Sequence, residues 1–230
     1  MNSMDRTIKT TLIHVNDQLN LSKLNLEIFL NSLKTISTLS VDILLVLFLE
    51  IRLHCFYYLS LLFRNSYTYA YTIESDFDEN IILLNRDLIL FQETLQPILN
   101  EKKFSFLFQG LSCVLSTSLI HGLSRFSRIS EVGVTKMCQN IFSIEQTLAQ
   151  NEIVSDGELI RARRFYEFLS TRKAEEILQL IEENGNEYSE QDYLNLLELQ
   201  YRSSFFNEDF HLSQYQQSIK LYFHSVSIDQ

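Results

Sequence analysis

Glu50 and His54 stand four residues apart in an otherwise apolar run, and helical spacing puts that carboxylate and imidazole on one face. Such a pair is the starting material for a metal site or for acid–base chemistry. Either site needs more groups. A di-iron bundle, for example, repeats Glu-x-x-His on two helices, and this chain has no such repeat. Glu50 and His54 therefore read as an ion pair on a helix surface. His14, His121, His211 and His224 are each isolated from a nucleophile, and His121 falls near the end of an apolar segment, where a helix C-terminus favours it. Cys55, Cys113 and Cys138 are far apart in apolar surroundings, with neither C-x-x-C nor zinc-knuckle spacing. No phosphate-cradling glycine loop, H-E-x-x-H or G-x-S-x-G occurs. The residues that could do chemistry thus predict no catalytic residue, no cofactor and no metal. They point to an interaction module and not to an enzyme.

The basic and aromatic clusters read the same way. Arg125, Arg128 and Lys136 could hold an anion, but three scattered charges make a solvated corner. Arg161, Arg163 and Arg164 share their segment with Glu158, Glu167, Glu175 and Glu176, which makes a salt-bridged helix surface. The tyrosines of 65–75 resemble a base-stacking platform, yet no basic residue lies between Arg64 and Arg86. Across the chain 29 acidic residues outweigh 19 basic ones, for a formal charge of −10. Nucleic acid and anionic membrane both require concentrated basic surface, so neither is expected as a main partner.

The elements that must position these residues are helices. With one proline and five glycines in 230 residues, punctuation is rare and elements should be long. A 46% hydrophobic share is enough for a buried core. The pattern predicts an imperfect helix over 12–33, a connector over 34–40, and a helix over 41–64 that is apolar almost all round and central to the bundle. Residues 65–75 read as an extended loop. A helix opening at Asp76 with Glu79 three residues on carries a seam of Ile81, Leu84, Leu88, Phe91, Leu95 and Ile98, and Pro97 should end it near Gln96. A buried helix follows over 104–124, then one opened by Ser130 with Val134, Met137, Ile141, Ile144 and Leu148 inward. A long helix over 156–184, opened by Ser155 and stopped by Gly185, precedes one opened by Ser189 and Asp192. Residues 205–230 lose the period and read as an irregular tail. Strand alternation is missing throughout, so the fold class is all-α, a stacked antiparallel helical bundle.

Two stretches approach the roughly 20 continuous apolar residues of a membrane span. Residues 41–63 are interrupted by Asp42, Glu50, Arg52 and His54. Residues 104–124 carry no charge, but Ser105, Gln109, Ser112 and Ser116 recur at helical spacing as a polar face, so this reads as a buried amphipathic helix. Gly110 and Gly122, with small serines around them, predict a close helix approach; by that reading Gly110→Leu would overpack the core.

Three strings resemble the C-terminal region of the exocyst complex component 4 family, the Sec-eight subunit. They are LEIRLHCFYYL at 49–59, KFSFLFQGL at 103–111 and FSRISEVGVTKMCQNIF at 126–142. ELIRARRFYEFL at 158–169 and YSEQDYLNLLEL at 188–199 follow in the same order, so the resemblance covers about 39–204. It implies a rod-like tethering protein of stacked helical bundles that helps dock secretory vesicles at the plasma membrane. Resemblance and residue pattern together divide the chain into an N-terminal helix of an incomplete bundle over 1–38, the family's bundle domain over 39–204, and the irregular tail over 205–230. The implied partners are other exocyst subunits and, through the complex, small GTPases and SNARE machinery, with membrane contact only indirect and a cytoplasmic location. The family has no catalytic residues to carry over. The alternative is a stand-alone cytosolic helical adaptor without a tethering role.

Overall fold

No glycine or proline interrupts residues 4–64, and they form one helix, α1 (Met4–Arg64). The connector predicted over 34–40 does not exist. Its two threonines turn their hydroxyls onto their own helix: Thr35 Oγ1 donates to Asn31 O at 2.9 Å and Thr38 Oγ1 to Lys34 O at 3.0 Å, as Ser32 Oγ just before them does to Ile28 O at 2.8 Å. Side chains satisfied in this way do not compete for the backbone, and the helix runs through.

This computed structural model describes residues 4–64, 77–150, 157–170, 174–184, 187–203 and 212–228. After α1 come α2 (Glu79–Leu95), α3 (Glu101–Phe108), α4 (Leu111–Gly122), α5 (Glu131–Gln150), α6 (Glu158–Glu167), α7 (Ala174–Asn184), α8 (Glu190–Arg202) and α9 (Leu212–Ile228). Short 3-10 turns occupy Leu123–Arg125 and Phe168–Ser170. Among the described residues there is no strand, and the fold is the expected all-α bundle. Packing divides the chain into two units, Met1–Leu47 and Phe48–Gln230, with the boundary inside α1.

Within the second unit α6 is central. It packs on α4 and α5, α5 also packs on α2, and α8 packs on α9. Leu159, Ala162, Phe165 and Tyr166 of α6 are all buried, while its glutamates and arginines face outward. The predicted stripe of α5 is buried at all five positions. That of α2 is buried at Ile81, Leu84, Leu88 and Leu95, but Ile98 lies beyond the helix and is exposed. The helix stops at Leu95 with Gln96 as its cap, as Pro97 demands.

Four boundaries differ from the sequence reading. The predicted buried helix over 104–124 is two, because Gly110 adopts φ +69°, a left-handed conformation that ends α3 and starts α4. Ser112 and Ser116 are buried while Ser105 and Gln109 are exposed, so the four do not share one polar face. The helix predicted over 156–184 is likewise two, since α6 tightens into the Phe168–Ser170 turn. The predicted cap Asp76 lies outside the described residues, and Asp78 caps α2 instead, its carboxylate accepting from Asn80 N at 2.9 Å. Finally, 205–230 is not an irregular tail where it is described. Leu212–Ile228 is helix, with Ile219 fully buried. Its apolar residues keep no clean helical period, but one good contact face against α8 is enough to order it.

The remaining caps follow the sequence. Ser130 Oγ accepts from Gly133 N at 3.1 Å, and Ser189 with Asp192 forms a complete capping box at α8. The loop read over 65–75, Ser155 and Gly185 lie outside the described residues.

Candidate functional site

Helical spacing sets Glu50, His54 and Tyr58 on one face of α1, and in the second unit that face meets Asp87 of α2. His54 Nε2 lies 3.2 Å from Glu50 Oε1, and His54 Nδ1 lies 3.0 Å from Asp87 Oδ2. Tyr58 donates its hydroxyl to the same Asp87 oxygen at 2.8 Å, and Phe91 stands edge-on to the imidazole. Burial pushes the Asp87 carboxyl up, but hydrogen bonds from Tyr58 and His54 outweigh it and hold the group below the usual aspartate range. The same bond raises the Tyr58 phenol. Both ring nitrogens of His54 face carboxylates, so neither is turned toward a substrate. Among the described residues no three His, Cys, Asp or Glu side chains are grouped to hold a metal. The cluster fastens α1 to α2. Asp87 and Tyr58 escaped the sequence reading. The i, i+4, i+8 run Glu50–His54–Tyr58 was a visible signal for the tyrosine, whereas nothing local marks Asp87.

In the sequence Arg52 marks only an interruption of an apolar helix. It is buried, and its guanidinium donates to Leu107 O at 3.0 Å, Gln109 O at 2.6 Å and Phe48 O at 2.9 Å. The first two are carbonyls that α3 leaves unpaired where it breaks at Gly110. The ring of Phe48 lies beneath the guanidinium, 3.2 Å from its carbon, and stacks on Phe106. Desolvation lowers the Arg52 pKa. The arginine is thus a structural plug that completes a helix end.

The remaining candidates are also held by their surroundings. Burial pushes Cys55 up to about 12 and Cys138 to about 11, leaving both as protonated, inert thiols. His121 lies 3.8 Å from Asp192, a capping residue of α8. Arg161 pairs with Glu158 at 3.1 Å, and Arg163 pairs with Glu145 and Glu167. Arg125 and Arg128 are exposed. Residues Glu101–Arg125 are long and apolar enough to cross a membrane by length and composition, but the break at Gly110 divides them and 56% of the apolar window is buried within the protein.

What the second unit does present is apolar relief. A groove of about 490 Å³ runs along the outer face of α2, walled by Phe77, Ile82, Ile89 and Leu90, with Arg86 and Glu93 on it. Ile82 and Leu90 are more than half exposed. A groove of this shape suits a helix laid against it.

Fold and surface together define a helical-bundle protein whose open features are an apolar groove and exposed apolar side chains. No family model matches the chain. It is 40% identical over 162 residues to exocyst complex component 4 of Homo sapiens, covering 70% of this chain and 16% of the human protein. It is 38% identical over 172 residues to that of Mus musculus, covering 74% and 18%. Exocyst complex component SEC8 of Arabidopsis thaliana is 26% identical over 166 residues, covering 70% and 16%. The chain belongs to the exocyst complex component 4 family and spans less than a fifth of the length of these relatives.

Proposed function

We propose that this chain is a module of an exocyst subunit, corresponding to the C-terminal region of its longer relatives, with residues 39–204 as the bundle domain. It acts by helix-on-helix contact with other exocyst subunits and so contributes to tethering secretory vesicles at the plasma membrane. Its reach to small GTPases and SNARE machinery runs through the complex. Its place is cytoplasmic, recruited peripherally to sites of secretion. The observation that carries this reading is the 38–40% identity to exocyst complex component 4 over at least 70% of the chain. The apolar groove on α2 supports it, since a partner helix would bury Ile82 and Leu90 there.

Affinity purification of the tagged chain from cells tests the proposal. Recovery of other exocyst subunits is expected, and Leu90→Asp should reduce it without unfolding the bundle, because Leu90 is exposed. Recovery of no exocyst subunit would assign the chain instead to the stand-alone adaptor reading.

A further inference from the structure

Four arginines that the sequence scatters over 139 positions are gathered by the fold at one corner of the second unit, Arg64, Arg125, Arg128 and Arg202. Two buried contacts make the corner. The ring of Phe126, fully buried, stands edge-on to that of Phe63 with centroids 5.6 Å apart. Three residues on, Ile129 is buried too and donates its backbone N–H to Ser203 Oγ at 3.0 Å. The end of α1, the loop before α5 and the end of α8 are thereby joined, and the Leu123–Arg125 turn packs on α8. Each anchor has an arginine as its chain neighbour: Arg64 follows Phe63, Arg125 precedes Phe126, Arg128 precedes Ile129 and Arg202 precedes Ser203. The anchors are drawn inward, and all four arginines are left exposed.

Their charges are not neutralised. Elsewhere in this unit Arg52 is engaged by carbonyls, and Arg86, Arg161 and Arg163 each have a carboxylate at 3.5 Å or less. Among the described residues the four corner arginines have no carboxylate partner, and Arg164 on α6 is the one other arginine of the unit in that position. The neighbouring acids are mostly engaged. Asp192 caps α8 and lies against His121, while Glu198, one turn before Arg202, accepts from Gln216. Glu131 is the one acid between His121 and Lys136. In a chain of formal charge −10 this is a local reversal of sign, in which like charges repel until an anion reaches them.

Beside the arginines lies a cavity of about 350 Å³ between α1 and α4. Phe56, Leu59 and Phe63 line it from α1, and Ser118, His121 and Arg125 from α4 and the turn after it. Phe56 is 50% exposed. A ligand seated there meets an apolar wall and a guanidinium together. That combination selects the ligand. An anionic membrane needs a broad basic face and would meet the negative charge of the whole chain, whereas a short acidic segment needs the corner alone. Guanidinium forks take carboxylates bidentately, and the cavity has room for an apolar side chain carried between them.

We propose that this corner is a docking site for an acidic peptide segment of a partner protein. Its carboxylates engage Arg64, Arg125, Arg128 and Arg202 while an apolar side chain enters the cavity against Phe56. The site shares no residue with the α2 groove and does not depend on the exocyst reading.

Fluorescence anisotropy with the purified full chain and a labelled peptide of sequence EEDFDEE tests this. Saturable binding with a Kd of about 100 μM or tighter is expected at low salt. Arg125→Glu with Arg128→Glu should weaken it at least about tenfold with the melting temperature unchanged, and Arg164→Glu should leave it as it was. Arg64→Gln with Arg202→Gln, which adds no acid, should weaken it in the same direction. The peptide EEDSDEE, without the aromatic ring, should bind more weakly than EEDFDEE. No binding at 100 μM peptide overturns the proposal. So does an equal loss from Arg164→Glu, which would reduce the attraction to overall charge, or equal affinity for the two peptides, which would leave the cavity without a role. Co-sedimentation with vesicles of three parts phosphatidylcholine to one of phosphatidylserine, abolished by the Arg125 and Arg128 substitutions, would assign the corner to a membrane surface and overturn the proposal equally.

Discussion

The two parts of α1 are built from similar residues and meet opposite fates. From Phe48 on, Ile51, Cys55, Leu59 and Leu62 are buried at intervals of four, four and three. Before Leu47 apolar residues are also frequent, though less dense and less regularly spaced, and Leu26, Ile36 and Val46 remain more than half exposed. Periodicity states that a face wants a partner, and it is silent on whether that partner lies in the same chain. The buried part found one in α2, α3 and α4 because Arg52 and His54 reach groups there that needed them: the open carbonyls at the end of α3 and the Asp87 carboxylate.

The contrast is broken most directly at Arg52. Arg52→Ala strands the Leu107 and Gln109 carbonyls and removes the guanidinium that lies over Phe48, so it should cost about 3 kcal/mol in chemical denaturation. The same substitution at Lys34, in the uncovered part, should cost almost nothing. If the two variants unfold alike, burial is not what separates the two regions.

Gly122→Ala comes next. A Cβ there would collide with the edge of the Phe63 ring, and moving the ring should cost about 1–3 kcal/mol by thermal unfolding. Gly110, where the sequence predicted close packing, has nothing within 4 Å of a Cβ. Gly110→Ala should therefore cost only about 1 kcal/mol, through its left-handed backbone and not through overpacking. Tyr166→Phe sits between them. It removes a hydroxyl that donates to Leu119 O at 2.8 Å and should cost about 1–1.5 kcal/mol, measured by urea titration.

The smallest effect is a pH dependence. The Asp87 pKa is lower folded than its ordinary value of 3.8, so its bonds to Tyr58 and His54 stabilise the fold above that value and are lost as pH falls through the folded pKa. Stability should decline on acidification below about pH 4, and Asp87→Asn should flatten that decline. An unchanged acid limb would show that the cluster does not hold α1 to α2.

Much of the bundle was legible in the sequence because it is written locally. The α5 stripe from Val134 to Leu148, the Pro97 stop, the Ser130 cap and the Ser189/Asp192 box each depend on neighbours within a few residues. The Glu50–His54 pair was legible for the same reason. The misreadings were of two kinds. Serines and threonines over 34–40 suggested a break, but hydroxyls that bond their own helix do not make one. Gly110 suggested close approach, but a glycine serves equally for a positive φ, and the two uses look identical in a string of letters.

By itself the sequence determined the helical class, most caps and inward faces, and the family, because these rest on spacing, turn chemistry and ordered strings of residues. Only the tertiary structure decided that His54 has a second carboxylate, that Arg52 closes a helix end, and which half of one apolar helix is covered. Each of those depends on groups tens of residues away, brought into reach by packing, and no local pattern encodes such a distance.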